Sequence, residues 1–253
     1  MQAILLFICT SMVVAANPKE DPFEKITIGK LPNEMEYFSA HSDKAKLAVI
    51  EFHVKAGQDL ERPEEYGVVH LAEHILFRDG KLKDNKSFLQ VFEDKGGEVY
   101  ASVSSRKTKY SVKISSQYSL WALKLLTKML QNRTFTFSEF KKAKQSVMIE
   151  IGEPSPLDSG FKFLSGKKLF SFLNGSPSFF KSEFGVDFSK YKQPWNADRI
   201  NNAYLSLEQV QAFYESFYTP KNIQVFIAGN FDQNQTISFI KNRWSHYKKD
   251  HDG

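Results

Sequence analysis

The stretch Gly67 to Gly80, GVVHLAEHILFRDG, limits what this chain can fold into more than any other. Val68, Val69, Leu71, Ala72, Ile75, Leu76 and Phe77 give it the apolar density of a buried helix. Yet His70, Glu73 and His74 sit at its centre. At roughly 100° per residue, the three polar side chains fall within about 100° of arc on one face of that helix. Apolar residues flank the arc, so the triplet points into protein. Two imidazoles and a carboxylate buried there are unfavourable unless they are paired. Two His one turn apart converge on one metal ion. The bland alternative is a hydrogen-bonded buried His pair.

Two His do not complete a hydrolytic zinc site, which takes three protein ligands and one open position. Glu150 suits the third place. Phe140, Ala143 and Val147 trace an apolar helix face in FKKAKQSVMIE, and Glu150 continues it. A carboxylate on such a face calls for a cation or a hydrogen-bond donor, and a bound metal supplies the first. Glu73 then keeps a separate role. A carboxylate beside a metal-bound water takes its proton, which is the chemistry of amide hydrolysis.

The surrounding pattern places this helix in an α+β domain, a mostly antiparallel sheet with helices packed on one face. KLAVIEFHVKAG alternates, with Ile50, Phe52 and Val54 on one side and Glu51, His53 and Lys55 on the other. His53 reads as a solvated strand residue, and His41, His246 and His251 as solvated residues outside any motif. EVYASVSSRKTKYSVKIS alternates as two strands or one bent strand. NKSFLQVFEDKGG, SLWALKLLTKMLQN and TFSEFKKAKQSVMIEIGE read as helices, the last with Ser138 as N-cap. YLSLEQVQAFYESFY reads as a helix opened by a Ser206–Gln209 capping box. NIQVFIAGNFD is a strand and QNQTISFIKNRW a final helix. Residues 154–200, interrupted by Pro154, Pro156, Pro177 and Pro194, suggest short helices and loops.

Net charge is +5, from 34 basic and 29 acidic residues, spread without a dense basic block, so no nucleic-acid footprint is expected. Residues 1–16, MQAILLFICTSMVVAA, are apolar, uncharged and end in small residues, as a secretory signal peptide does. They are too short to span a bilayer comfortably, and no later stretch reads as a transmembrane helix. The expected organisation is a signal peptide over 1–16 and one metallopeptidase domain over 17–253. The mature chain is then periplasmic in a bacterium or secreted, with no membrane attachment. Cys9, the single cysteine, lies in the signal, so no disulfide or thiolate chemistry follows it.

His-x-x-Glu-His is the inverted zinc-peptidase motif. Its wider setting resembles the pitrilysin family, which includes insulin-degrading enzyme and mitochondrial processing peptidase. The similar segments are AGQDLERPEEYGVVHLAEHILFRDG, GGEVYASVSSRKTKYSV and LSLEQVQAFYESFYTPKNIQVFIAGNFD, with Glu150 near the family's spacing. The resemblance implies Zn2+ held by His70, His74 and Glu150, with Glu73 as general base. It implies peptide substrates bound extended along a strand at Glu98, Val99, Tyr100, Ala101 and Ser102, through main-chain hydrogen bonds. Tyr100-Ala101 stands where the family has Asn-Ala. Ala143 stands where it has an acidic residue supporting the site, and FRDG replaces Phe-Lys-Gly. The family also carries a second, similarly folded domain. That implies a homo- or heterodimer, or alternatively a non-catalytic partner subunit of a two-chain peptidase. S-ribosylhomocysteine lyase shares the motif but uses a downstream Cys, which this chain lacks.

Overall fold

The computed structural model describes residues 25–80, 82, 86–131, 133–150 and 204–247. The expected signal peptide and the short helices and loops expected over 154–200 lie outside these residues. Among them, six strands form one sheet: β1 (Lys25–Lys30), β2 (Glu36–His41), β3 (Leu47–Val54), β4 (Glu98–Val103), β5 (Thr108–Ser115) and β6 (Ile223–Gly229). Their order is β1-β2-β6-β3-β5-β4. Only β2 and β6 run parallel, Glu36 pairing with Gln224 and His41 with Gly229. The other pairs are antiparallel, as expected.

Alternation decides which face is covered. On β3, Ala48, Ile50, Phe52 and Val54 are buried, as are Tyr110, Val112 and Ile114 across β5 and Ile223, Val225 and Ile227 across β6. Helices α1 (Val68–His74), α2 (Phe88–Glu93), α3 (Ser119–Leu130), α4 (Phe137–Glu150), α5 (Leu207–Phe217) and α6 (Gln233–Trp244) build the layer over that face. Leu123, Leu126 and Met129 of α3 join the same core. Trp244 of α6 lies 5.8 Å from Phe52. The opposite face is mixed, with Phe38 stacked on Phe226 at 4.7 Å and Glu51 accepting from Ser111 and Lys109. His53 lies there 2.9 Å from Glu51, so it is paired rather than solvated. His41 likewise meets Asp43 at 2.7 Å.

The caps explain the helix limits. Ser87 and Ser206 open α2 and α5 with reciprocal capping boxes. The expected cap Ser138 is corrected to Thr136. Its hydroxyl accepts from the Glu139 amide while the Glu139 carboxylate accepts from the Thr136 amide. Ser138 falls inside α4, one residue past its first, because the Thr136-x-x-Glu139 box fixes the start two residues earlier.

Helix α1 begins at Gly67, whose φ of 91° favours glycine. The carboxylate of Glu61 accepts from the Val69 amide, meeting one of the free N–H groups at the positive helix end. The stretch read as one helix to Gly80 instead changes at His74 into a π turn, Ile75–Asp79. Among the described residues no helix is long and apolar enough to cross a membrane.

Candidate metal centre

Three elements meet at the β4 edge of the sheet. Helix α1 packs against α4, α5 and β4. This brings the apolar side of the His70–His74 turn into the core and leaves its polar arc facing the end of α4. His70, His74 and Glu150 each offer one ligand atom there, all within 4.8 Å of one another. His74 Nε2 is 3.1 Å from Glu150 Oε2, and His70 Nε2 is 3.6 Å from Glu150 Oε1. The imidazole rings sit 4.9 Å apart, edge to face.

The burial of the arc is graded. His74 and Glu73 are buried, His70 is partly open, and the Glu150 side chain is about half exposed at 49%. Glu150 was expected on a buried apolar face. It instead ends α4, where the helix leaves its packing partners and reaches the rim of the site. Arg78 Nη1 lies 3.3 Å from Glu150 Oε2, a neighbour the sequence reading did not assign.

Burial sets the protonation tendencies. Desolvation and the neighbouring His74 press the His70 pKa down to about 4, against the pull of Glu150. Desolvation pushes the Glu73 carboxyl up to about 7, although His74 and Arg78 favour its charged form. His70 is therefore a neutral imidazole at neutral pH, the form that ligates a metal.

The site opens into a cavity of about 580 Å³. His70, Glu73, His74 and Glu150 line one side of it, and Val99, Tyr100, Ala101, Ser102 and Val103 of β4 line another. Among the described residues β4 pairs only with β5, and its outer edge has no strand partner there. Of the five expected strand residues, Glu98 lies outside the cavity lining and pairs with Lys113 at 3.0 Å. Gln58, Phe77, Arg78 and Leu89 also line the cavity. The sequence reading gave them no site role, since their places follow from tertiary packing.

The donor set fits a zinc ion. Two imidazole nitrogens and one carboxylate oxygen are the ligands of one class of catalytic zinc site. Bonds of about 2.0–2.1 Å in a tetrahedron hold ligand atoms roughly 3.3 Å apart. The 3.1 and 3.6 Å separations, one to each Glu150 oxygen, lie near that value, and the set as a whole lies within 4.8 Å.

An H-x-x-E-H helix set against a carboxylate from a second helix, beside a sheet edge, is the layout of the inverted-motif peptidases. The chain belongs to the insulinase family of peptidases, family M16. The model described as "Insulinase (Peptidase family M16)" matches residues 37–157, and "Peptidase M16 inactive domain" matches residues 204–252. All four residues of the centre fall in the first match. The chain is 30% identical over 190 residues to the uncharacterized zinc protease YmxG of Bacillus subtilis, covering 74% of this chain and 41% of that protein. In fold it is similar to a protease from Helicobacter pylori, with a TM-score of 0.65, 19% identity, and coverage of 89% of this chain and 51% of that one. It is also similar to the first half of the periplasmic protease PqqL from Escherichia coli, with a TM-score of 0.59, 20% identity, and coverage of 90% and 47%. The chain spans about half or less of the length of the curated relatives it matches.

Proposed function

We propose that this chain is the zinc-bearing half of a peptidase that hydrolyses peptide bonds of extended peptides. One observation carries the reading. Two imidazoles and a carboxylate converge within 4.8 Å at the wall of a cavity that is also lined by β4, the edge strand of the sheet among the described residues. His70, His74 and Glu150 hold the ion. Zinc bound there supplies a Lewis acid that lowers the pKa of a water and polarises a carbonyl. Glu73 is the general base, and its carboxylate accepts the proton of the attacking water. The printed names of relatives such as YmxG support zinc as the metal.

The edge of β4 binds the substrate main chain, and Tyr100 and Ser102 border the bound peptide. Backbone pairing of that kind gives affinity with little sequence preference. The four residues of the centre, all in place, favour catalysis over a non-catalytic partner role. A second family domain, in the same polypeptide or in a partner chain, closes the cavity from the other side. The apolar segment 1–16 directs the chain out of the cytoplasm, to the periplasm in a bacterium.

The test is zinc content and cleavage of a quenched fluorogenic peptide pool by the full chain, alone and with a second family domain. Stoichiometric zinc and cleavage that falls at least a hundredfold in Glu73→Gln are expected. Cleavage by Glu73→Gln at the parental rate refutes the assignment.

A further inference from the structure

Asp79 has no part in the chemistry above, yet it is the most deeply buried acid near the centre, 2% exposed. Its Oδ1 accepts from Ser146 Oγ at 3.3 Å and faces Lys142 Nζ at 3.5 Å. Its Oδ2 lies 3.4 Å from His74 Nδ1. Neither of those two atoms has a hydrogen-bond partner among the described residues. Each is the other's complement, an N–H donor and a carboxylate acceptor 3.4 Å apart. The imidazole is thus spanned by carboxylates, Asp79 at Nδ1 and Glu150 at Nε2.

Backbone geometry makes this possible. Five residues along an α-helix turn through roughly 500°, leaving residues 74 and 79 about 140° apart. In a π turn, closed by i to i+5 hydrogen bonds, the step falls to roughly 80° and five residues return close to the same face. The π turn at Ile75–Asp79 therefore carries Asp79 round beneath His74. Such turns cost regular hydrogen bonding and are frequent where a side chain must be re-aimed. Ser146 and the half-exposed Lys142 both meet Oδ1, which leaves Oδ2 to His74.

We infer that Asp79 is the positioning residue for His74. Its carboxylate accepts a hydrogen bond from His74 Nδ1–H, which fixes the tautomer with the lone pair on Nε2 and holds the ring so that Nε2 points at His70 and Glu150. The inference rests on the zinc reading of the centre. A ligand His generally donates its other N–H to such an acceptor, and losing the acceptor weakens metal binding about 10–100-fold. The competing account makes Asp79 a strut between α1 and α4 through Ser146 and Lys142.

The experiment is zinc affinity of the full chain by competition with a chromophoric chelator. Parent, Asp79→Ala, Asp79→Asn and Ser146→Ala are compared, with 15N-histidine NMR of the zinc-loaded proteins. Asp79→Ala is expected to bind zinc about 10–100-fold more weakly and to lose the slowly exchanging Nδ1 proton signal of His74. Ser146→Ala breaks the strut contact and is expected to keep both within about twofold. Asp79→Asn keeps an acceptor oxygen and is expected between these two, and it carries the test if Asp79→Ala does not fold. Parental affinity and an unchanged Nδ1 signal in a folded Asp79 variant overturn the inference and leave the zinc reading standing. A parent chain that binds no zinc overturns both.

Discussion

Glu73 makes stability depend on pH through its burial, and the dependence is measurable. Its carboxyl is buried within the α1 arc, and desolvation raises it from 4.5 to about 7 in the metal-free protein. Between these values the folded protein holds a proton that the unfolded chain has released. The stability this confers is fully present below about 4.5 and is lost as pH rises through about 7. At about 1.4 kcal/mol per pH unit the loss totals about 3 kcal/mol, most of it between pH 5 and 8. Glu73→Gln is close in shape and does not titrate, so it lacks this loss. Urea unfolding of parent and variant with chelator present, at pH values from 5 to 8, isolates the effect. The parent is expected to fall relative to Glu73→Gln by about 2–3 kcal/mol over that range. The difference between the two slopes matters, because the amide brings its own constant hydrogen-bonding cost. Adding zinc should flatten the parent, since a nearby cation favours the charged carboxylate. Parallel pH profiles for the two metal-free proteins would refute the reasoning, because they mean that Glu73 is not desolvated.

Metal removal should lower stability by an amount set by free zinc, about 4 kcal/mol when zinc stands a thousandfold above its dissociation constant. His74→Ala should show no such zinc-dependent shift in differential scanning fluorimetry. Behind the centre, the fully buried Tyr110 and Tyr218 hydroxyls meet at 2.8 Å. Tyr110→Phe and Tyr218→Phe should each cost about 1–2 kcal/mol, and the double variant less than their sum, in a denaturant double-mutant cycle. A purely additive cycle would show that the hydroxyls do not depend on each other. Peptides N-methylated along the segment lying on β4 should bind with higher KM, roughly fivefold per lost hydrogen bond, while kcat changes less. Equal KM for methylated and plain peptides would remove the strand edge from substrate binding.

The sheet was legible because its signal is local. Alternation at Ala48–Val54 and Thr108–Ser115 names the buried face residue by residue, and the Ser206–Gln209 box names a helix start. The polar arc was legible for the same reason: His70, Glu73 and His74 share a face at any helical spacing near 3.6 residues per turn. Glu150 needed more, since its place depends on how α1 and α4 pack. The sequence put it on a buried face, whereas the helix end put it at the rim.

Asp79 was not legible at all, and the reason is instructive. A helical wheel assumes one angular step throughout. The step changes at Ile75, and nothing in ILFRD announces that a π turn replaces an α turn. With uniform spacing Asp79 falls on the side of the helix away from the arc, among Val68, Ala72 and Ile75. With the observed turn it lies under His74, beside the helix whose Ala143 offers no carboxylate. The acid that braces the ligand therefore need not come from α4. A change of backbone hydrogen bonding over a single turn of α1 brings one from the opposite side of the same ring. In this chain the support of His74 is written in backbone geometry rather than in a spaced motif.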